Sequence, residues 1–225
     1  DNLPPIEQWP EFLLDGFDYP VHLNAAVELT DAMVDKGFGD HTALIGNGRR
    51  RTYKELSDWT NRLANVLTED LGVKPGNRVL IRSANNPAMV ACWLAATKAR
   101  AVVVNTMPML RAGELSAIID KAQITHALCD TRLMDELVSC AKTSEFLTSV
   151  VGFDGTSNHD AELDRLALEK RVTYEAVQTG RDDVALLGFT SGTTGSPKAT
   201  MHVHRDLLII AAGQACEVLD GQPGD

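Results

Sequence analysis

Arg78-Val79-Leu80-Ile81-Arg82 and Ala101-Val102-Val103-Val104-Asn105 are two short apolar runs, and the stretch between them, Pro87 to Ala99, has the length of a helix. A strand, a crossover helix and a second strand is the unit from which parallel sheets are built. The alternation continues with a helix over Arg111 to Lys121, a strand over His126 to Cys129, a helix over Leu133 to Lys142 and a strand over Ser149 to Phe153. These residues predict an α/β fold with a mostly parallel sheet covered by helices.

Toward the amino terminus, Thr42 to Ile45 and Arg49 to Tyr53 flank Asn47-Gly48, a pair suited to the positive φ of a tight hairpin turn. Thr52 and Glu55 have capping-box spacing, and Leu56, Trp59, Leu63, Val66 and Leu67 then mark an apolar helical stripe ending near Gly72. Ala26, Leu29, Met33 and Val34 predict a further helix over Leu23 to Lys36, stopped by Gly37. Residues 1 to about 22 carry Pro and aromatics without a period and are expected as an arm on the surface. The expected division is therefore an arm and helix over 1–40 and a large α/β domain over 41–225.

Toward the carboxyl terminus, residues 154 to 182 form a polar excursion with weak helical signals at Ala161 to Leu168 and Tyr174 to Gln178. Val184 to Phe189 predicts a buried strand that delivers the chain into Thr190-Ser191-Gly192-Thr193-Thr194-Gly195-Ser196-Pro197-Lys198. Glycines let backbone N–H groups come close to an anion, hydroxyls donate hydrogen bonds, and a lysine adds charge; this composition suits phosphate. A Walker-type loop does not fit. Pro197 stands where its second glycine is required, and Ala199 follows Lys198 where Ser or Thr should bind magnesium.

The 225 residues carry 21 basic and 31 acidic side chains, a net charge of −10, without a basic patch interleaved with aromatics. Nucleic acid and anionic membranes are therefore not expected partners. Arg49-Arg50-Arg51 is expected as a solvated hairpin strand. Cys92, Cys129, Cys140 and Cys216 form no CxxC pair, so neither a zinc site nor a disulfide framework is suggested and a reducing cytoplasm is expected. No uncharged apolar run has membrane-spanning length.

Phe189 to Lys198 resembles, position by position, the signature loop of the adenylate-forming superfamily, which includes acyl-CoA synthetases, adenylation domains and luciferases. Arg51 to Leu56 and Ala95 to Leu115 are similar, more loosely, to fold-building stretches of that family. Ala199 and Arg100 depart from it, standing where glycine and a small residue are common. The resemblance implies that Thr190, Ser191, Gly192, Thr193, Thr194, Gly195 and Lys198 embrace the phosphates of ATP. His204, in Met201 to Leu207, then either borders the acyl pocket or satisfies local hydrogen bonds at a helix start. Leu3-Pro4-Pro5 with Trp9-Pro10-Glu11, Met107 to Leu110 and the segment from His202 look most like benzoate- and 2-aminobenzoate-CoA ligases.

The resemblance implies ATP, Mg2+ and CoA as cofactor and co-substrates, a small carboxylic acid as partner, and a two-step reaction. The carboxylate attacks the α-phosphate to give an acyl-adenylate and pyrophosphate, and a thiol then displaces AMP. The alternatives are a fatty- or amino-acyl substrate, or a non-catalytic α/β module that has kept the loop. Gly221-Gln222-Pro223-Gly224-Asp225 echoes Val73-Lys74-Pro75-Gly76-Asn77, which introduces a strand. The expectation is thus a longer protein whose remaining active-site residues lie downstream, and a 225-residue chain without ligase turnover of its own.

Overall fold

A computed structural model describes residues 5–8, 17–156, 160–190 and 197–221, without the side chains of 216 and 217. The elements run α1 (Ala25–Leu29), α2 (Asp31–Met33), β1 (Thr42–Gly46), β2 (Arg49–Thr52), α3 (Tyr53–Asn65), β3 (Arg78–Arg82), α4 (Pro87–Lys98) and β4 (Val102–Thr106). They continue with α5 (Ala112–Ala122), β5 (Ile124–Asp130), α6 (Met134–Ala141), β6 (Ser149–Phe153), α7 (Glu162–Leu168), β7 (Val184–Thr190), β8 (Lys198–Val203) and α8 (His204–Ala211).

Six strands form one sheet in the order β6-β5-β3-β4-β7-β8, parallel throughout except for the antiparallel β7–β8 pair. Side chains alternate between faces along each strand, which divides the core in two. Val79, Ile81 and Val103 pack with Leu63 of α3 and Ala91 and Ala95 of α4, whereas Leu80 and Val104 pack with Ile119 of α5 and Leu137 of α6. Both faces are covered, and the mostly parallel α/β architecture expected from the alternating pattern is the one observed.

Local chemistry sets the entries. Asn47 and Gly48 adopt φ of 52° and 72°, the two positive values that a tight hairpin turn needs. At the start of α3 the Glu55 N–H donates to Thr52 Oγ1 at 3.2 Å and the Thr52 N–H donates to Glu55 Oε2 at 2.8 Å. Thr52→Ala should therefore cost about 1 kcal/mol, seen as a lower urea midpoint with an unchanged slope.

Three expectations need correction. The helix over Leu23 to Lys36 is two pieces, because Thr30 takes φ −132° and ψ −81° while its hydroxyl donates to the Ala26 carbonyl at 2.6 Å. Gly37, at φ +89°, interrupts the wider turn that follows. Tyr174 to Gln178 is not helical; the chain here is bonded to its neighbours instead, with Asn65 Nδ2 donating to the Thr173 carbonyl and Val177 N to the Lys98 carbonyl. Strand β7 has only Ala185 buried, since it pairs with β4 at Leu186 and Leu187 alone and then runs on beside β8.

The Arg run also differs in part from a solvated strand. Arg49 and Arg50 are exposed, but the Arg51 guanidinium lies 4.4 Å above the Trp59 ring. Arg100 adopts φ +57° and forms an ion pair with Asp183 at 3.1 Å. Its backbone lies in the left-handed region, which favours glycine.

Candidate nucleotide-binding hairpin

The β7–β8 ribbon places the two described ends of the phosphate-loop sequence opposite each other. Thr190 and Lys198 are Cα partners in the last register pair, and both side chains are exposed. Directly opposed residues share a face with Cβ atoms about 4.5–5.5 Å apart, so a hydroxyl and an ammonium flank the base of the loop. Because β7 is parallel to β4, this base opens at the carboxyl end of the parallel strands, where ligands of open α/β sheets bind. Ser191, Gly192, Thr193, Thr194, Gly195 and Ser196 lie outside the described residues, as do Trp9, Pro10, Glu11 and the segment 222–225.

Strand periodicity puts Thr200 and His202 on the same face of β8 as Lys198. Thr200 Oγ1 lies 3.3 Å from the Gly188 carbonyl, to which it donates, and 3.1 Å from His202 Nε2. A Cβ at Gly188 would stand 3.0 Å from Thr200 Oγ1, so glycine lets the two strands keep that contact. The sequence reading passed over Thr200 and His202; the signal was available in the alternation of Lys198, Thr200 and His202 after the loop.

His204 sits elsewhere. It begins α8, is 2% exposed, and its Nδ1 accepts the Ala25 N–H at 3.1 Å. Burial, with the nearby Arg100 charge, pushes its pKa from the ordinary 6.5 down to about 4, against the opposing pull of Asp183. The ring is therefore neutral near pH 7, and its observed partner is the first amide of α1, 179 residues away, not a neighbour at its own helix start. Arg205 continues the cluster, its Nε 2.8 Å from Asp182 Oδ1.

The described residues contain no group of three or more His, Cys, Asp or Glu able to hold a metal ion. The hydroxyl and ammonium at the hairpin base suit phosphate oxygens and not a cation. Cys92, Cys129 and Cys140 are buried free thiols, and burial pushes Cys129 up to about 12. None of the described helices is long and apolar enough to cross a membrane.

The chain, whose fold sets a hydroxyl- and lysine-flanked hairpin at the carboxyl end of its sheet, matches in its sequence the family model of AMP-binding enzymes over residues 32–225, and it belongs to that family. It is 32% identical over 205 residues to a 3-hydroxybenzoate–CoA/4-hydroxybenzoate–CoA ligase of Thauera aromatica, covering 90% of this chain and 39% of the relative. A 3-oxocholest-4-en-26-oate–CoA ligase of Rhodococcus rhodochrous is 30% identical over 180 residues, covering 77% and 32%. The anthranilate CoA ligase AuaEII, solved with anthranoyl-AMP, superposes with a TM-score of 0.80 at 24% identity, covering 88% of this chain and 38% of that one. The chain thus spans about two fifths of the length of its first relative.

Proposed function

We propose that the chain belongs to an AMP-forming acid–CoA ligase, and that Thr190, Ser191, Gly192, Thr193, Thr194, Gly195 and Lys198 hold the phosphates of ATP. The observation that carries this reading is the register pair Thr190–Lys198, which brings both ends of the phosphate-loop sequence to the carboxyl end of the sheet. Mg2+ would arrive with the nucleotide and offset charge on its phosphates. The chain's own contribution would be donors, the loop N–H groups and hydroxyls together with the Lys198 ammonium, to offset the charge that grows as pyrophosphate leaves.

For the substrate we favour an aromatic acid such as benzoate or 2-aminobenzoate, supported by the hydroxybenzoate ligase among the relatives and by the likeness of Met107 to Leu110 noted in the sequence. The steroid-acid relative keeps a larger apolar acid as the second reading. CoA is the proposed thiol acceptor, and buried reduced cysteines suit a reducing, cytoplasmic setting.

Acid-dependent ATP–pyrophosphate exchange by the intact gene product tests the reading, with benzoate, 2-aminobenzoate, fatty acids and amino acids as candidates. Exchange driven by an aromatic acid is the expected result; none with any carboxylate would overturn it. Lys198→Ala removes a charge-assisted hydrogen bond worth roughly 1.5–3 kcal/mol, so kcat/KM for ATP should fall roughly ten- to hundredfold. Unchanged ATP use would remove Lys198 from the site.

A further inference from the structure

The β7–β8 ribbon joins the described sheet through β7. Only Leu186 and Leu187 of β7 pair with β4, and among the described residues β8 has no neighbour but β7. Thr190 and Lys198 lie at one end of this ribbon, and the other end is stapled to the amino-terminal segment.

The staple is continuous. Leu23 N donates to the Thr179 carbonyl at 2.9 Å, and Thr179 Oγ1 returns a bond to the Leu23 carbonyl at 2.6 Å. Arg181 N donates to the Val21 carbonyl at 2.9 Å, and Arg181 Nη1 to the Tyr19 carbonyl at 2.6 Å. The 181–183 segment in turn accepts from α8: His204 N bonds the Asp183 carbonyl at 3.1 Å and Arg205 N the Arg181 carbonyl at 3.0 Å. His204 Nδ1 closes the circuit by accepting the first amide of α1, Ala25, in a buried bond of 3.1 Å.

We propose that His204 is a positioning residue through which the amino-terminal segment, Tyr19 to Ala25, fixes the orientation of β8 and hence of Lys198. The inference rests on the proposed nucleotide role of the hairpin. One end of a two-stranded ribbon held in place restrains its twist and register to the other end, about 17 Å away along the five residue steps from Lys198 to Val203. His204 is suited to this because a neutral imidazole offers one buried acceptor to α1 while its own amide secures the entry to β7. It does not touch the nucleotide; it sets where Lys198 stands.

Two measurements on the intact gene product decide it, using His204→Ala, which removes the acceptor, and His204→Asn, whose side-chain oxygen can replace Nδ1. Hydrogen–deuterium exchange of the Lys198–Val203 amides should quicken in His204→Ala and return toward wild type in His204→Asn. Unchanged exchange in the Ala variant overturns the inference without reference to catalysis. In ATP–pyrophosphate exchange, the Ala variant should raise the ATP KM roughly three- to tenfold and leave the acid KM unaltered, with rescue by Asn. An unchanged ATP KM, or a loss that Asn fails to rescue, also overturns it. Should His204→Ala not fold, His204→Gln, which fills the site but moves the acceptor off the Nδ1 position, is read in its place. Absence of exchange activity in the wild type would sink the ligase reading, and the amide exchange alone would then decide the positioning role.

Discussion

Replacing Asp31 with Ala should lower the stability of the protein by about 3 kcal/mol, the lower end of what breaking a buried ion pair costs. Lys98 on α4 has a fully buried side chain, with Nζ 2.6 Å from Asp31 Oδ2 and 2.6 Å from Asn61 Oδ1. Asp31 is 30% exposed and also accepts from Ser57 Oγ at 2.8 Å. Burial alone would raise the Asp31 carboxyl, but the hydrogen bond and charge of Lys98 overcome it and hold it below its ordinary value. Burial lowers the Lys98 ammonium from its ordinary value, against the hydrogen bond and charge of Asp31, while the 2.6 Å contact favours the charged pair, which joins α2, α3 and α4 at one point. Without Asp31 the ammonium is left in the core with a single amide oxygen. The partial exposure of Asp31 lets water reach part of the site, which places the loss at the lower end. Urea unfolding of Asp31→Ala checks the value, and a change below 1 kcal/mol would contradict it. Adding Lys98→Met should recover much of the loss, because no unpaired charge then remains buried.

Acidification should destabilise the fold through His204. Its pKa is about 4 in the folded protein against an ordinary 6.5, so between these values the unfolded chain binds more protons than the folded one. Stability from this group is thus fully present above pH 6.5 and is lost as pH falls toward 4. The full difference is about 3 kcal/mol at 1.36 kcal/mol per pKa unit. Physically, a protonated ring would carry Nδ1–H against the Ala25 N–H, two donors facing each other in a buried site, with Arg100 close by. Urea midpoints from pH 7 to pH 4.5 in wild type and His204→Asn separate this contribution from the carboxylates, since Asn keeps an acceptor and cannot titrate. The Asn variant should lose less stability over that range; parallel curves would refute the assignment.

Elements with a local cause were legible. The Asn47-Gly48 turn and the Thr52/Glu55 capping box depend on residues a few positions apart. The strand–helix alternation from Arg78 to Phe153 was also visible, because short apolar runs of strand length are separated by stretches long enough for a helix. Boundaries shifted by a residue or two, as in β4 at Val102–Thr106 against Ala101 to Asn105. Two of the misread segments, Thr30 and Tyr174 to Gln178, are places where side chains distant in sequence or a hydroxyl bent back on its own helix claim backbone groups.

The candidate site divides in the same way. Its proposed chemistry lies in a contiguous run, so the candidate phosphate loop and its lysine could be read from composition, order and resemblance to the adenylate-forming signature. The strand order, the short β4–β7 pairing that leaves β7 half-covered, the Lys98–Asp31 pair 67 positions apart in the numbering, and the Ala25–His204 bond across 179 residues were not. The α/β class was legible in the residues because it follows from runs that act on near neighbours, and the AMP-binding family because its signature is contiguous. Only the tertiary structure decided that His204 faces α1 and that Lys198 faces Thr190. Long-range contacts depend on how elements pack, and no local period or spacing records them.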